Sequence, residues 1–149
     1  MATYYSDRMS SNSSHAIKAG GAIVGDVCEV SVSVALVNND IIKLFTVPKG
    51  ARVVTVMLQG VGVQSGTDSE FELGDSGDTE RLLIASAGQY LRSNKHDAYF
   101  YLNSSAKTTA NNTFHTYAAN TDIEMKITTA GTGMTTGGKI VAAILYYVD

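Results

Sequence analysis

The chain has 149 residues, with eleven Lys and Arg set against fourteen Asp and Glu and a net charge of −3. There is no basic stripe to track phosphates and no interleaving of aromatic with cationic side chains, so direct nucleic-acid binding is disfavoured. One domain fits this length, and a chain of this size buries about 70% of its unfolded surface, without help from the single Cys28, which has no partner for an internal disulfide. No run approaches the ~18 apolar residues of a membrane span. The opening stretch MATYYSDRMSSNSSHAIK has no hydrophobic segment of signal-peptide type, so the expectation is a chain made and folded in a cytosol.

Residues 1–25 are rich in Ser, Asn, Gly and Ala and show no apolar period. Such a stretch cannot offset the cost of ordering its own backbone, about 1–2 kcal/mol per residue. The reading is a flexible N-terminal arm over 1–25 and a β-sandwich domain over 26–149. Tyr4 and Tyr5 are the large side chains of the arm, and tyrosine buries much area at contacts with few rotors.

Residues 29–37 alternate strictly, with Val30, Val32, Val34 and Leu36 on one face, which predicts a strand with one buried side. Asn38, Asn39 and Asp40 predict a turn. Ile41–Val47 and residues 51–59 carry apolar side chains on both faces and suit interior strands. Between them, Pro48 is placed second in a tight turn and Gly50 supplies a positive φ. Glycines at 60, 62 and 66 interrupt the next segment. Alternation resumes at 69–73 with Phe71 and Leu73 inward and at 81–85 with Leu82 and Ile84 inward, across the corner at residues 73–80.

Residues 86–97 fit either a short helical turn or a long loop. Residues 98–102 predict a strand with Phe100 and Leu102 on one face and the pair Tyr99 and Tyr101 on the other, as a second packed face or a contact patch. A solvent loop at 103–112 and a weaker strand at 113–118 come next. Residues 121–129 alternate, with Ile123, Met125 and Ile127 inward, and 139–148 is apolar on both faces, which places the last strand centrally in a sheet. Turn signals every eight to twelve residues or so point to a β-sandwich or barrel.

The stretch 41–85, with its Pro-Lys-Gly-Ala corner, Val-rich strand and LGDSGDTERLLIA segment, together with the late alternating strand and the apolar close ending in Tyr-Tyr, resembles small structural proteins of tailed-phage virions, of the head-decoration or cement kind. The resemblance covers roughly residues 29–148. It implies an all-β antiparallel sandwich of jelly-roll type, located on the phage head. It also implies a non-covalent, non-enzymatic role in which the protein binds the major capsid protein and associates with itself, as a homotrimer, without membrane or nucleic acid. Tyr4, Tyr5, Tyr99 and Tyr101, with loops 60–69 and 103–112, are the candidate contact residues. The alternative is a carbohydrate-binding or fibre-tip module, whose aromatic platform would fall to Tyr99 and Tyr101 in a chain without Trp.

Catalytic signatures are missing. His15, His96 and His115 lack the paired spacing of a cupin-type metal centre, and neither Ser86 nor Cys28 stands in a nucleophile motif. No cofactor is expected. The acidic residues Asp68, Glu70, Glu72, Asp75, Asp78 and Glu80 read first as turn caps and a solvated strand face, and second as oxygen ligands for a divalent ion.

Overall fold

A computed structural model describes residues 1–10, 23–61, 70–83, 99–102, 115–130 and 137–148. Its elements are β1 (Thr3–Tyr5), the single turn α1 (Asp7–Ser10), β2 (Ile23–Val32), β3 (Ile41–Val47), β4 (Ala51–Val61), β5 (Glu70–Asp75), β6 (Asp78–Leu83), β7 (Tyr99–Leu102), β8 (Thr121–Thr129) and β9 (Gly138–Val148). They form a five-stranded sheet in the order β1-β3-β8-β5-β6 and a four-stranded sheet in the order β2-β9-β4-β7.

The pairing is nested: β2 with β9, β3 with β8, β4 with β7, and β5 with β6, all antiparallel. That is one long hairpin rolled up, and the further pairs β4 with β9 and β5 with β8 close it into two sheets. This is the jelly-roll arrangement of an antiparallel sandwich, and it sets the first and last long strands side by side. The last strand lies between β2 and β4, in the central place its apolar sequence requires.

The core fills the space between the sheets. Cys28, Val30, Val32, Val56, Leu58, Ile140, Ala142 and Ile144 come from one sheet, and Ile42, Leu44, Phe71, Leu73, Ile123, Met125 and Ile127 from the other. Each large side chain of this kind contributes about 1.5–3 kcal/mol on burial. Two bulges explain strands that read as apolar on both faces. Register shifts between Lys43 and Phe45 and between Val53 and Thr55 let Ile42 and Leu44, then Phe45 and Val47, all turn inward on β3, and let Val53 and Val56 both turn inward on β4.

The corners are set by local chemistry. Gly50 takes φ 85° and Ala51 N–H donates to Pro48 O at 3.1 Å, so Pro48 stands first in the turn rather than second. At the β5–β6 hairpin a Cβ on Gly74 would overlap Asp78 O and lie 2.6 Å from Thr79 C, which only glycine avoids. Asn39 carries φ 69°, and its N–H donates to Ile127 O at 2.7 Å, fixing the turn at 38–40 to the end of β8. Residues 113–118 form no strand where they are described, and Thr116 makes an isolated bridge to Arg52.

The N-terminal residues differ from the flexible arm that composition predicts. β1 adds in parallel to β3, with Tyr4 opposite Ile42 and packed against the core. Ser6, fully buried, donates to Leu44 O at 2.6 Å and accepts Met9 N–H at 3.2 Å, capping α1. Composition failed to see this because a few anchors, Tyr4, Ser6 and Asp7, do the holding. Residues 11–22 lie outside the described residues, and β2 already begins at Ile23.

Candidate interaction surface

The two sheets present opposite outer faces. On the β1-β3-β8-β5-β6 sheet the outward side chains are charged and paired across strands. Lys43 Nζ meets Asp122 Oδ2 at 2.8 Å, Thr46 donates to Asp122 at 2.9 Å, Lys126 Nζ lies 3.5 Å from Glu72 Oε2, and Thr79 donates to the same carboxylate at 2.7 Å. The hydrogen bond to Asp122 raises the Lys43 ammonium above its ordinary value, and burial raises the Glu124 carboxyl beside it. On this face Lys43 and Lys126 are each held by a carboxylate of a neighbouring strand.

Among the described residues, the outer face of β2, β9 and β4 carries a run of apolar side chains. The register sets Val27 beside Ala143 and Ala143 beside Met57, Gly25 beside Leu145, and Glu29 beside Val141. Ile23 is 68% exposed, Val27 53%, Val61 40% and Leu145 37%, an uncovered apolar strip along the face. Monomeric proteins seldom leave such a patch uncovered unless it meets a partner. Among the described residues, its charged side chains are Glu29 and Lys139 toward one end and Arg52 at the other. Lys139 Nζ donates to both oxygens of Glu29 at 2.8 and 2.9 Å, and at the other end Arg52 Cζ lies 5.8 Å from the centroid of the Tyr147 ring.

Edge pairing at β2 is blocked where it is described. Val27 N–H donates to Asp26 Oδ1 at 2.8 Å and Glu29 N–H to Asp7 Oδ1 at 2.9 Å, so these edge donors are already taken by carboxylates. A partner reaching this strand meets its side-chain face and finds no free ladder at Val27 or Glu29.

The expected contact residues fall in different places. Tyr4 is half-buried against the protein's own core, and burial, then the Asp40 carboxylate, pushes its hydroxyl above the ordinary value. Tyr5 is 55% exposed, with Lys43 Nζ 6.0 Å from its ring centroid, on the charged side of the molecule. On β7, Tyr99 and Tyr101 pair with Leu58 and Val56 of β4, and the tyrosine side chains lie outside the described residues, as do loops 62–69 and 103–112. Val61 falls within the expected contact loop 60–69, whereas Ile23, Val27, Met57 and Leu145 were not singled out from the sequence. The signal was present in the doubly apolar 139–148, read there only as burial on both sides.

The described acidic residues are engaged with the chain itself. Asp75 accepts Gly77 N–H at 2.8 Å and Asp78 N–H at 3.0 Å, and it pairs with Arg81 Nε at 2.5 Å; Asp78 accepts Glu80 N–H at 3.2 Å. They cap the β5–β6 turn. Among the described residues no group of three His, Cys, Asp or Glu stands together as a metal site. His15 and His96 lie outside the described residues. Burial pushes the Cys28 thiol up to about 12, so it is not a nucleophile at neutral pH.

No protein-family model and no curated protein matches the sequence. The fold does match solved structures. A chain in the capsid of Ralstonia phage GP4 superposes with TM-score 0.72 at 16% identity, over 99% of this chain and 98% of that one. A chain in the capsid asymmetric unit of cyanophage Pam1 gives TM-score 0.64 at 18% identity, covering 92% of each. A chain in the acid-stable capsid structure of Helicobacter pylori bacteriophage KHP30 gives TM-score 0.55 at 16% identity, over 85% and 87%. The fold is thus shared, over 85% to 99% of this chain, with chains found in phage capsids.

Proposed function

We propose that the protein is a structural component of a phage virion, a decoration or cement protein that docks on the major capsid lattice through the outer face of the β2-β9-β4-β7 sheet. One observation carries the reading: the apolar strip of Ile23, Val27, Leu145 and Val61 is left uncovered, while the opposite face is closed by its own ion pairs. The likeness in fold to capsid chains supports it. The role is non-enzymatic, and shape is the mechanism. Modest apolar contacts repeated over a lattice add through avidity, each copy raising the effective concentration of the next.

In this reading the protein also associates with itself, as a trimer, and reaches the head surface after synthesis in the host. The test is reconstitution on heads of the cognate phage that lack this protein. Saturable binding, with a rise in the temperature or shear at which the heads rupture, is the expected result. Heads that neither bind the purified protein nor gain stability from it would end the proposal.

A further inference from the structure

Residues 2–10 cross from one sheet to the other on the side where β2 and β3 run. β1 pairs with β3 from Thr3 to Tyr5, and Asp7 Oδ1 accepts Glu29 N–H of β2 at 2.9 Å. Ser6 lies between these two holds. Its N–H donates to Lys43 O at 2.9 Å, its hydroxyl donates to Leu44 O at 2.6 Å, and the same oxygen accepts Met9 N–H at 3.2 Å, which caps α1. Beside it is Cys28, 1% exposed. Burial pushes that thiol up, and a hydrogen bond with Ser6 holds back part of the rise, so hydroxyl and sulfur are neighbours.

The crossing segment is built from weak elements. Parallel ladders hold less per residue than antiparallel ones, β1 pairs over three residues, and a helix of one turn does not form by itself. The strands beneath it are anchored elsewhere, β2 to β9 along Ile23–Val32 and β3 to β8 along Ile41–Val47. They keep their places when the segment leaves, which makes it a unit of low local stability on a stable body.

We propose that residues 2–10 are a strap, pinned by Ser6, that opens as a unit while both sheets stay folded. Opening uncovers the Cys28 thiol. It also returns to solvent Ile41 N–H and Lys43 O, which the closed strap engages through Ala2 O and Ser6 N–H. β3 then becomes the edge of its sheet, alongside the β2 edge of the other. The strap thereby decides whether this side of the sandwich offers a backbone ladder to an extended segment of another chain. This inference stands apart from any role in a virion.

The test is alkylation of Cys28, the one cysteine of the chain, in the native protein, followed by intact mass at denaturant concentrations below the unfolding transition. The slope of the labelling rate with denaturant reports the surface that the opening exposes, and for the wild type it is expected to be less than about half the slope of global unfolding. Ser6→Ala removes both pin and cap and is expected to label about tenfold faster. Leu73→Ala truncates a fully buried side chain of β5, two strands from β3 in the same sheet. Its global unfolding midpoint falls while its Cys28 labels at the wild-type rate, because the strap opens without disturbing β5. A wild-type slope equal to that of global unfolding would overturn the proposal even where Ser6→Ala does not fold. So would faster labelling of Leu73→Ala in step with its lost stability, or a folded Ser6→Ala that labels no faster than the wild type.

Discussion

His115 Nδ1 lies 3.3 Å from Arg81 Nη1, a contact that only the neutral imidazole makes as an acceptor. Arg81 is held from the other side by Asp75, and the His115 ring stands edge-on to Tyr117 with centroids 4.8 Å apart. This corner ties the chain before β8 to the β5–β6 hairpin.

A pH dependence comes with it. Burial first, and the Arg81 charge second, hold His115 below its ordinary value, against the opposing pull of Asp75 and Asp78. The folded protein therefore binds fewer protons here than the unfolded chain. The contribution is complete above the unfolded value near 6.5 and is lost as pH falls toward the lower folded value. His115 is solvent-exposed, so the effect is small. Melting curves from pH 7 to 5 should fall more steeply for the wild type than for His115→Gln, and parallel curves would refute the link.

Gly74→Ala tests the hairpin. The new Cβ would overlap Asp78 O and meet Thr79 C at 2.6 Å, backbone atoms that cannot swing aside. Denaturant unfolding should show a loss at or beyond the top of the about 1–3 kcal/mol typical of overpacking. A variant as stable as the wild type would mean that the β5–β6 turn is not built this way.

Core truncation separates interior from surface. Ile127→Ala and Leu58→Ala remove fully buried side chains, one from each sheet, and each should cost about 2–5 kcal/mol. Val27→Lys and Leu145→Glu alter the outward strip and should shift unfolding by no more than about 0.5 kcal/mol. Circular dichroism should show both surface variants remaining folded. Large destabilisation by Val27→Lys would place that side chain inside.

Cys28 offers a kinetic check on the same interior. The thiol is 1% exposed and its pKa is pushed up to about 12, so thiol reagents should label it only on unfolding. Rapid labelling of the native protein at neutral pH would contradict the packing of β2.

The strands legible in the sequence were those whose period is plain. Thr121–Thr129 forms as read, with Ile123, Met125 and Ile127 buried. The central place of the last strand was legible as well, because eleven residues with so many apolar side chains suit an edge poorly. Bulges were not legible. One extra residue at Lys43–Phe45 rotates Phe45 onto the face of Leu44, and nothing in IIKLFTV announces it. Strand ends were hidden too: Val34, read as inward by alternation, is 49% exposed because β2 stops at Val32. The candidate surface stayed hidden because an apolar residue on an outer face and one in a core look alike in sequence. Only the register of Ile23 with Tyr147, and of Val27 with Ala143, distinguishes them.

The most direct measurement is co-sedimentation of the purified protein with decoration-free heads, comparing wild type, Val27→Lys and Thr46→Lys. Val27 and Thr46 are both exposed but lie on opposite outer faces of the sandwich. The predicted result is that wild type and Thr46→Lys bind to the same occupancy while Val27→Lys loses at least about tenfold in affinity, equal to about 1.4 kcal/mol. Binding that survives Val27→Lys and fails with Thr46→Lys would put the contact on the charged face and contradict the central claim.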